Sequence, residues 1–412
     1  VTKWIEGKLR DLVEVNPTVK LIKGERYPFV SMDVIQPFYK PVEAKEEREF
    51  RSGGAKFENG DILFARITPC LENGKIAQVK NLKNGKGFGS TEFIVLRGKE
   101  GVTDTDFVYY LATNKAFREN AERLMVGTSG RQRVDKQQFE DQIISIPDLE
   151  TQKRISSILG SIDKKIELNV EMNKTLEETA MTLYKHWFVD FGPFQDGEFV
   201  ESELGMIPEG WECIEIGEAV SVLGGGTPKT SVKEYWENGD INWFSPTDLT
   251  TQKSLFISKS SKKITKLGLE KSSAKLFPPY CVMMTSRATI GEISINKEEA
   301  CTNQGFITLI PNETFTMYQL YFWLKTNIDL ILSIANGSTF KEVSKTNFKK
   351  LKILKPKNIE EFTRKCEMLF KLIESNLIEI EELTNIRDYL LPRLLSGEID
   401  VSQAQKQVEV VL

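Results

Sequence analysis

Between residues 150 and 188 the apolar positions recur at alternating steps of four and three: Ile155, Leu159, Ile162, Ile166, then the polar Asn169 and Asn173, then Leu176, Ala180, Leu183 and Trp187. That spacing makes the seam of a coiled coil. At 1.5 Å per residue it predicts a helix roughly 55–60 Å long, well beyond the usual globular helix. The same seam returns 207 residues later as Phe362, Cys366, Leu369, Ile373, Asn376, Ile380, Leu383, Arg387, Leu390 and Leu394. One amphipathic helix lying on a globular core would account for either stretch alone. Two seams in one phase with a shared polar interruption predict a duplicated helix instead. If the copies pair antiparallel, Asn169 and Asn376 are expected to meet near the midpoint and to fix register at some cost in stability.

The intervening segments alternate in another way. Residues 8–15 read as a short amphipathic helix stopped by Asn16-Pro17. Residues 27–33, 61–67 and 89–96 read as strands rich in β-branched and aromatic side chains. A helix is expected over residues 104–121, capped by Asp104 or Thr105, then a basic loop over 127–133 and a last apolar piece over 141–146. From Trp211 the order begins again. Trp4 matches Trp211 at the same shift of 207, while between the ends the shift drifts: Phe57 matches Phe277 at 220, Phe93 matches Phe306 at 213, and Phe139 matches Phe348 at 209. Locked helices and drifting domains suit two domains that recognise different things, with neutral drift in loops as the lesser alternative. The expected fold is α+β with an internal pseudo-two-fold repeat. Its parts are a domain over residues 1–149, a spacer helix over 150–190, a turn-rich linker over 191–210, a domain over 211–357, a spacer helix over 358–398 and a tail over 399–412.

Composition removes several function classes. With 40% hydrophobic and 28% charged residues the chain reads as globular, and no apolar run is long enough to span a bilayer, so a cytoplasmic protein with no membrane contact is expected. Five scattered cysteines and one histidine, His186, leave no clustered metal ligands and no Ser/His/Asp or Cys/His system. A net charge of −4 gives no global pull on nucleic acid, so any DNA binding must come from local basic loops.

Two motifs resemble catalytic ones without their chemistry. Phe277-Pro278-Pro279-Tyr280 has the outline of an amino-methyltransferase motif, but phenylalanine cannot accept the hydrogen bond required before the prolines, and no methyl-donor loop accompanies it. Gly224 to Lys229, Gly-Gly-Gly-Thr-Pro-Lys, lacks the phosphate-loop pattern; Gly226, Thr227 and Lys229 could hold a DNA phosphate, or the stretch could be a plain turn. More telling are loops at matched places. Arg131-Gln132-Arg133 offers the donors that read guanine and adenine edges, and its counterpart keeps Thr339 and Lys341. Arg66 and Arg287 follow corresponding strands, allowing a one-residue gap. In this reading the helix-pair seam is carried by Ile162, Ile166, Asn169, Leu176, Leu369, Ile373, Asn376 and Leu383.

Three runs then point to a family. Residues 146–155 read Ile-Pro-Asp-Leu-Glu-Thr-Gln-Lys-Arg-Ile, residues 183–191 read Leu-Tyr-Lys-His-Trp-Phe-Val-Asp-Phe, and residues 390–399 read Leu-Leu-Pro-Arg-Leu-Leu-Ser-Gly-Glu-Ile. With the Gly-Gly-Thr-Pro opening of the second domain, the whole chain resembles the specificity subunit of type I restriction-modification systems. That resemblance implies a non-catalytic subunit whose two recognition domains each read half of a bipartite double-stranded DNA target. It implies paired helices that set the spacer and dock two methyltransferase subunits, which would carry S-adenosylmethionine. Restriction subunits would add ATP- and Mg-dependent translocation and cleavage, and no cofactor is expected on this chain. The competing classes are a stand-alone adenine methyltransferase or nuclease, and a coiled-coil adaptor with no DNA role.

Overall fold

The apolar run Phe93–Gly98 is buried along most of its length because it lies inside a sheet covered on both faces. The computed structural model describes residues 3–128, 130–337 and 341–411. They fall into two units, Val1–Val170 with Leu377–Leu412, and Glu171–Asn376. In the first unit a five-stranded sheet runs in the order Val13–Val15, Phe93–Gly98, Ile62–Ala65, Ile76–Val79, Pro41–Val42, antiparallel except for its last pairing. A second sheet runs Glu46–Glu49, Arg26–Val30, Lys86–Gly89, Ala55–Glu58, and Trp4–Lys8 pairs with Ile143–Pro147.

The second unit repeats this plan. Its five strands run Ser221–Gly224, Phe306–Ile310, Val282–Thr285, Ile293–Asn296, Phe256–Ile257, again with only the last pairing parallel. Its smaller sheet runs Lys262–Ile264, Ile241–Phe244, Ala300–Thr302, and Phe277 bridges Ala300 where Ala55–Glu58 lies in the first unit. Glu212–Glu215 pairs with Lys352–Lys355 as the counterpart of the terminal strand pair. The two units are therefore one topology written twice.

The long helices span Leu149–Phe188 and Glu360–Ser396, and each contributes one half to each unit. Within the first unit Asp163 meets Arg387 and Asn169 meets Glu379; within the second Asn173 meets Asn376 and Trp187 packs on Phe362. In both, one chain number rises as its partner's falls, so the pairing is antiparallel. Ile162, Ile166, Ile373 and Leu383 are buried at the seam, while Leu176 and Leu369 are half-buried.

The asparagines depart from expectation. Asn169 donates to Glu379 at 2.7 Å, and Asn376 donates to Asn173 at 2.8 Å, so Asn169 and Asn376 are not each other's partners. The register is offset by one helical turn, and each amide finds the acceptor that this offset brings opposite.

Four local expectations also change. Residues 8–15 form only a single turn, Leu9–Leu12, before entering the sheet as Val13–Val15. The helix over 104–121 is two, Thr105–Thr113 and Lys115–Arg123, because Asn114 leaves helical geometry and its side chain caps the second from Ala116 and Phe117 N–H. The linker carries a hairpin, Phe199–Ser202 with Gly205–Pro208. The tail forms a helix, Val401–Val411, which buries Val401, Ala404 and Val408 in the first unit's core.

Candidate nucleic-acid interface

In each unit a short hairpin is stitched to the loop that leaves the central strand of the large sheet. In the first, Met125–Val126 pairs with Arg133–Val134 and closes a loop over residues 127–132. Four contacts fix it: Arg66 N–H to the Glu92 carbonyl at 2.9 Å, Val134 N–H to the Arg66 carbonyl at 2.8 Å, Thr68 N–H to the Gln132 carbonyl at 3.0 Å, and an Ile67–Arg133 bridge. In the second unit the same four recur: Ser286 N–H to Gly305 at 2.7 Å, Val343 N–H to Ser286 at 2.9 Å, Ala288 N–H to Lys341 at 3.2 Å, and an Arg287–Glu342 bridge. Asn336 and Glu342 close this second hairpin by reciprocal backbone bonds. Buried backbone groups must be paired, and the repeated pattern shows one construction serving two different loop sequences.

This stitching corrects one correspondence. Arg66 matches Ser286, and Arg287 matches Ile67. Arg66 is half-buried and its guanidinium donates to the Val134 carbonyl at 2.9 Å. Arg287 instead grips both oxygens of Glu342, at 2.7 and 2.8 Å. The Nε atoms of both arginines are buried with no partner among the described residues. Arg133 likewise binds one carboxylate but through two nitrogens, its Nε and Nη2 lying 2.8–3.0 Å from Glu92. Hydrogen bonding to Glu92, then its charge, raises the Arg133 pKa further above its already high ordinary value. Arg131 is exposed and Gln132 half-buried on the returning limb of the loop, next to Arg133, and the Arg131 guanidinium has no partner among the described residues. The Lys341 ammonium is likewise exposed and free among them, while Thr339 lies outside the described residues.

The glycine-rich stretch has a steric purpose. A side chain on Gly225 would run into the carbonyls of Thr302 and Asn303, and one on Gly226 into Ser273. Gly226 is buried, its N–H donates to the Thr302 carbonyl at 2.8 Å and its carbonyl accepts from Trp243 Nε1 at 2.9 Å. Its N–H is thus unavailable to a phosphate, which corrects the expected role of Gly226. Thr227 and Lys229 remain exposed. Thr227 Oγ1 bonds Gln304 at 2.6 Å, beside Gly305 and hence beside Arg287, so these loops gather at one end of the unit. Gly225→Ala is expected to cost the second unit about 1–3 kcal/mol through overpacking, read as a lower melting temperature. A phosphate-cradle role would instead leave melting unchanged and weaken only DNA affinity.

Lys136 and Lys345 escaped sequence reasoning. Each opens the helix that follows its hairpin, Lys136–Asp141 and Lys345–Lys349, and each is exposed. Both stand three residues after the residue that bridges the strand-leaving loop, Arg133 or Glu342, an equivalence that only the pairing reveals. No group of three or more His, Cys, Asp or Glu that could hold a metal occurs among the described residues. Burial pushes the Cys281, Cys301 and Cys366 thiols up to about 12, so these are packing residues rather than nucleophiles. Among the described residues no helix is long and apolar enough to cross a membrane.

Comparison with known proteins matches the family described as Type I restriction modification DNA specificity domain over residues 2–178 and again over 208–387. The type I restriction enzyme HindI specificity subunit of Haemophilus influenzae is 28% identical over 405 residues, covering 83% of this chain and 87% of that protein. The MjaIX specificity subunit of Methanocaldococcus jannaschii is 37% identical over 161 residues, covering 39% of this chain and 37% of that protein. A crystal structure of the type I restriction-modification S subunit from M. genitalium shares 17% identity over 96% of each chain with a TM-score of 0.50, a likeness of fold.

Proposed function

The chain belongs to the type I restriction modification DNA specificity family, whose domain it carries twice, and from that premise we propose that it is the DNA-recognition subunit of a type I restriction-modification enzyme. Each unit reads one half of a bipartite double-stranded target through the loop end built around its hairpin. The observation that carries this reading is the repeated stitching of two hairpins whose tips differ in sequence. A fixed frame with a variable tip suits two domains that share a task and differ in target. Phosphate contacts would position each unit and a few side chains would select bases. The chain supplies recognition and no chemistry. Its partners would be two methyltransferase subunits holding S-adenosylmethionine, and restriction subunits using ATP and Mg. The paired helices dock the methyltransferases and set the spacer, and the assembly works in the cytoplasm.

Exchanging residues 1–147 for those of a relative, in the methyltransferase complex, should change one half of the methylated site and leave the other half and the spacer as they were. Sequencing methylated DNA from cells expressing the hybrid reads this directly. A change in both halves would sink the modular reading, and loss of all selective methylation despite a folded hybrid would count against DNA recognition by these loops.

A further inference from the structure

We propose that DNA bases are read by the returning limbs of the hairpin loops, Arg131 and Gln132 in the first unit and Lys341 in the second, and that the ion pairs next to them at the hairpin bases, Arg133–Glu92 and Arg287–Glu342, are clamps that position those limbs. This assignment rests on the DNA-recognition reading above and divides its basic residues into two kinds.

The division comes from comparing one place in two units. Arg133 and Glu342 occupy the same position, the first residue after the hairpin loop, as the stitching shows: Arg133 bridges Ile67, and Glu342 bridges Arg287. A cation placed there to hold a phosphate could not become a carboxylate in the sister domain without repelling the same backbone. What the units share at this position is a charge pair. In the first the cation stands on the hairpin, with Glu92 supplied by the loop before strand Phe93–Gly98; in the second the anion stands on the hairpin, with Arg287 supplied by the loop after strand Val282–Thr285. Each pair joins the hairpin to the neighbouring loop by two or more short bonds: Arg133 through Nε and Nη2, the two-nitrogen geometry that makes an arginine–carboxylate pair directional, and Arg287 through Nη2 to both oxygens of Glu342. Exposed pairs contribute little on their own, but these two reinforce a backbone seam already in place.

The returning limbs carry what the clamps leave free. The Arg131 guanidinium is exposed and without a partner among the described residues, and Gln132, which follows it, can donate and accept at an adenine edge. Lys341 matches Gln132 in position and offers a single point charge. Different letters on matched scaffolds are what two unlike half-sites require.

The test uses the full chain assembled with its methyltransferase subunits, on duplexes bearing the site found by sequencing methylated DNA. Affinity is measured against salt concentration, and half-site preference against a library varied in each half. Arg131→Ala should relax one half-site by about tenfold to a hundredfold and leave the other unchanged. Arg133→Glu should weaken binding, and adding Glu92→Arg should return most of the lost affinity, because the pair matters and its direction does not. Arg133→Gln, a milder change for use if the reversed pair does not fold, should leave the slope of log affinity against log salt at the wild-type value. A slope reduced by about 0.9 in Arg133→Gln would mean one lost phosphate contact and would overturn the clamp. No rescue by the reversed pair in a folded protein would overturn it too. Absence of site-selective binding by the wild-type complex would instead remove the reading on which the proposal rests.

Discussion

Removing Asp163 alone, as Asp163→Ala, should cost the first unit about 3–5 kcal/mol, and replacing Asp163 and Arg387 together by phenylalanine and alanine should restore most of that loss. Arg387 Nη1 lies 3.0 Å from Asp163, and the two side chains are only 9% and 4% exposed. The same Nη1 donates to the Phe38 carbonyl at 3.2 Å, and Tyr110 donates its hydroxyl to the other Asp163 oxygen at 2.7 Å. Burial, then the Asp163 charge, pushes the Tyr110 phenol far above its ordinary value, so it stays a donor. Burial works against the Arg387 charge, but the carboxylates of Asp163 and Asp388 outweigh it. Deleting the aspartate would leave the buried guanidinium with only the Asp388 carboxylate, 3.0 Å from Nη2 but 60% exposed and so screened by water, and would strip Nη1 of its buried acceptor, which is the expensive outcome for a buried pair.

The restoring change is one the chain already contains. The shift of 207 carries Asp163 to Phe370 and Arg387 to Ala180, both buried in the second unit. Phe370 packs edge-on against Tyr318 with centroids 4.9 Å apart, and against Phe322 at 5.8 Å. Well-packed apolar residues commonly replace a buried ion pair at little cost. Tyr110 would lose its acceptor, so adding Tyr110→Phe should complete the repair. Hydrogen exchange at the amides of residues 105–113 and 155–166 reports the first unit separately from the second. A single substitution no worse than the double would show that the pair is solvated and contributes little.

What was legible in the sequence was whatever repeats along it. Heptad spacing is a local rule, so all four ends of the long helices lie within two residues of the expected bounds, and the second copy repeats the phase of the first. The strand expected over 61–67 was placed for the same reason, as Ile62–Ala65, whereas the one expected over 89–96 is broken at 90–92, between Lys86–Gly89 of the smaller sheet and Phe93–Gly98 of the larger. The tail helix was not read, although its signal is there in the three- and four-residue steps from Val401 to Ala404 and Val408, with Asp400 accepting from Ser402 N–H at its start. What could not be read was pairing across the chain. Glu92 stands 41 residues from Arg133, and Glu342 stands 55 from Arg287. No periodicity links such partners, so two arginines that look free in the sequence are committed in the fold. Glycine misled in the opposite direction: a run that suggests flexibility at Gly225 and Gly226 is there because neighbouring backbone leaves no room for a side chain. The asparagine seam failed by one turn because the repeat sets the phase of each helix, not the register between them.

Lengthening both long helices by four residues, after Val170 and after Asn376 where the chain passes between units, should lengthen the spacer of the recognised site and leave both half-sites unaltered. Four residues add roughly 6 Å of helix, close to two base pairs at about 3.4 Å each. They also add roughly 40° of rotation at 3.6 residues per turn, nearer to the twist of a single base pair at about 10 per turn. The expected gain is therefore one or two base pairs, and which is found will show whether length or angle governs. The insertion must enter both helices, because in one alone it could not keep both Asn173 on Asn376 and Asp163 on Arg387. That single insertion should cost stability and abolish methylation, whereas the paired one should keep both. Sequencing of methylated DNA from cells carrying each variant gives half-sites and spacer in one measurement. If the paired variant methylates the original spacer, the helices do not set the gap; if its half-sites change, the units and helices are not separable parts.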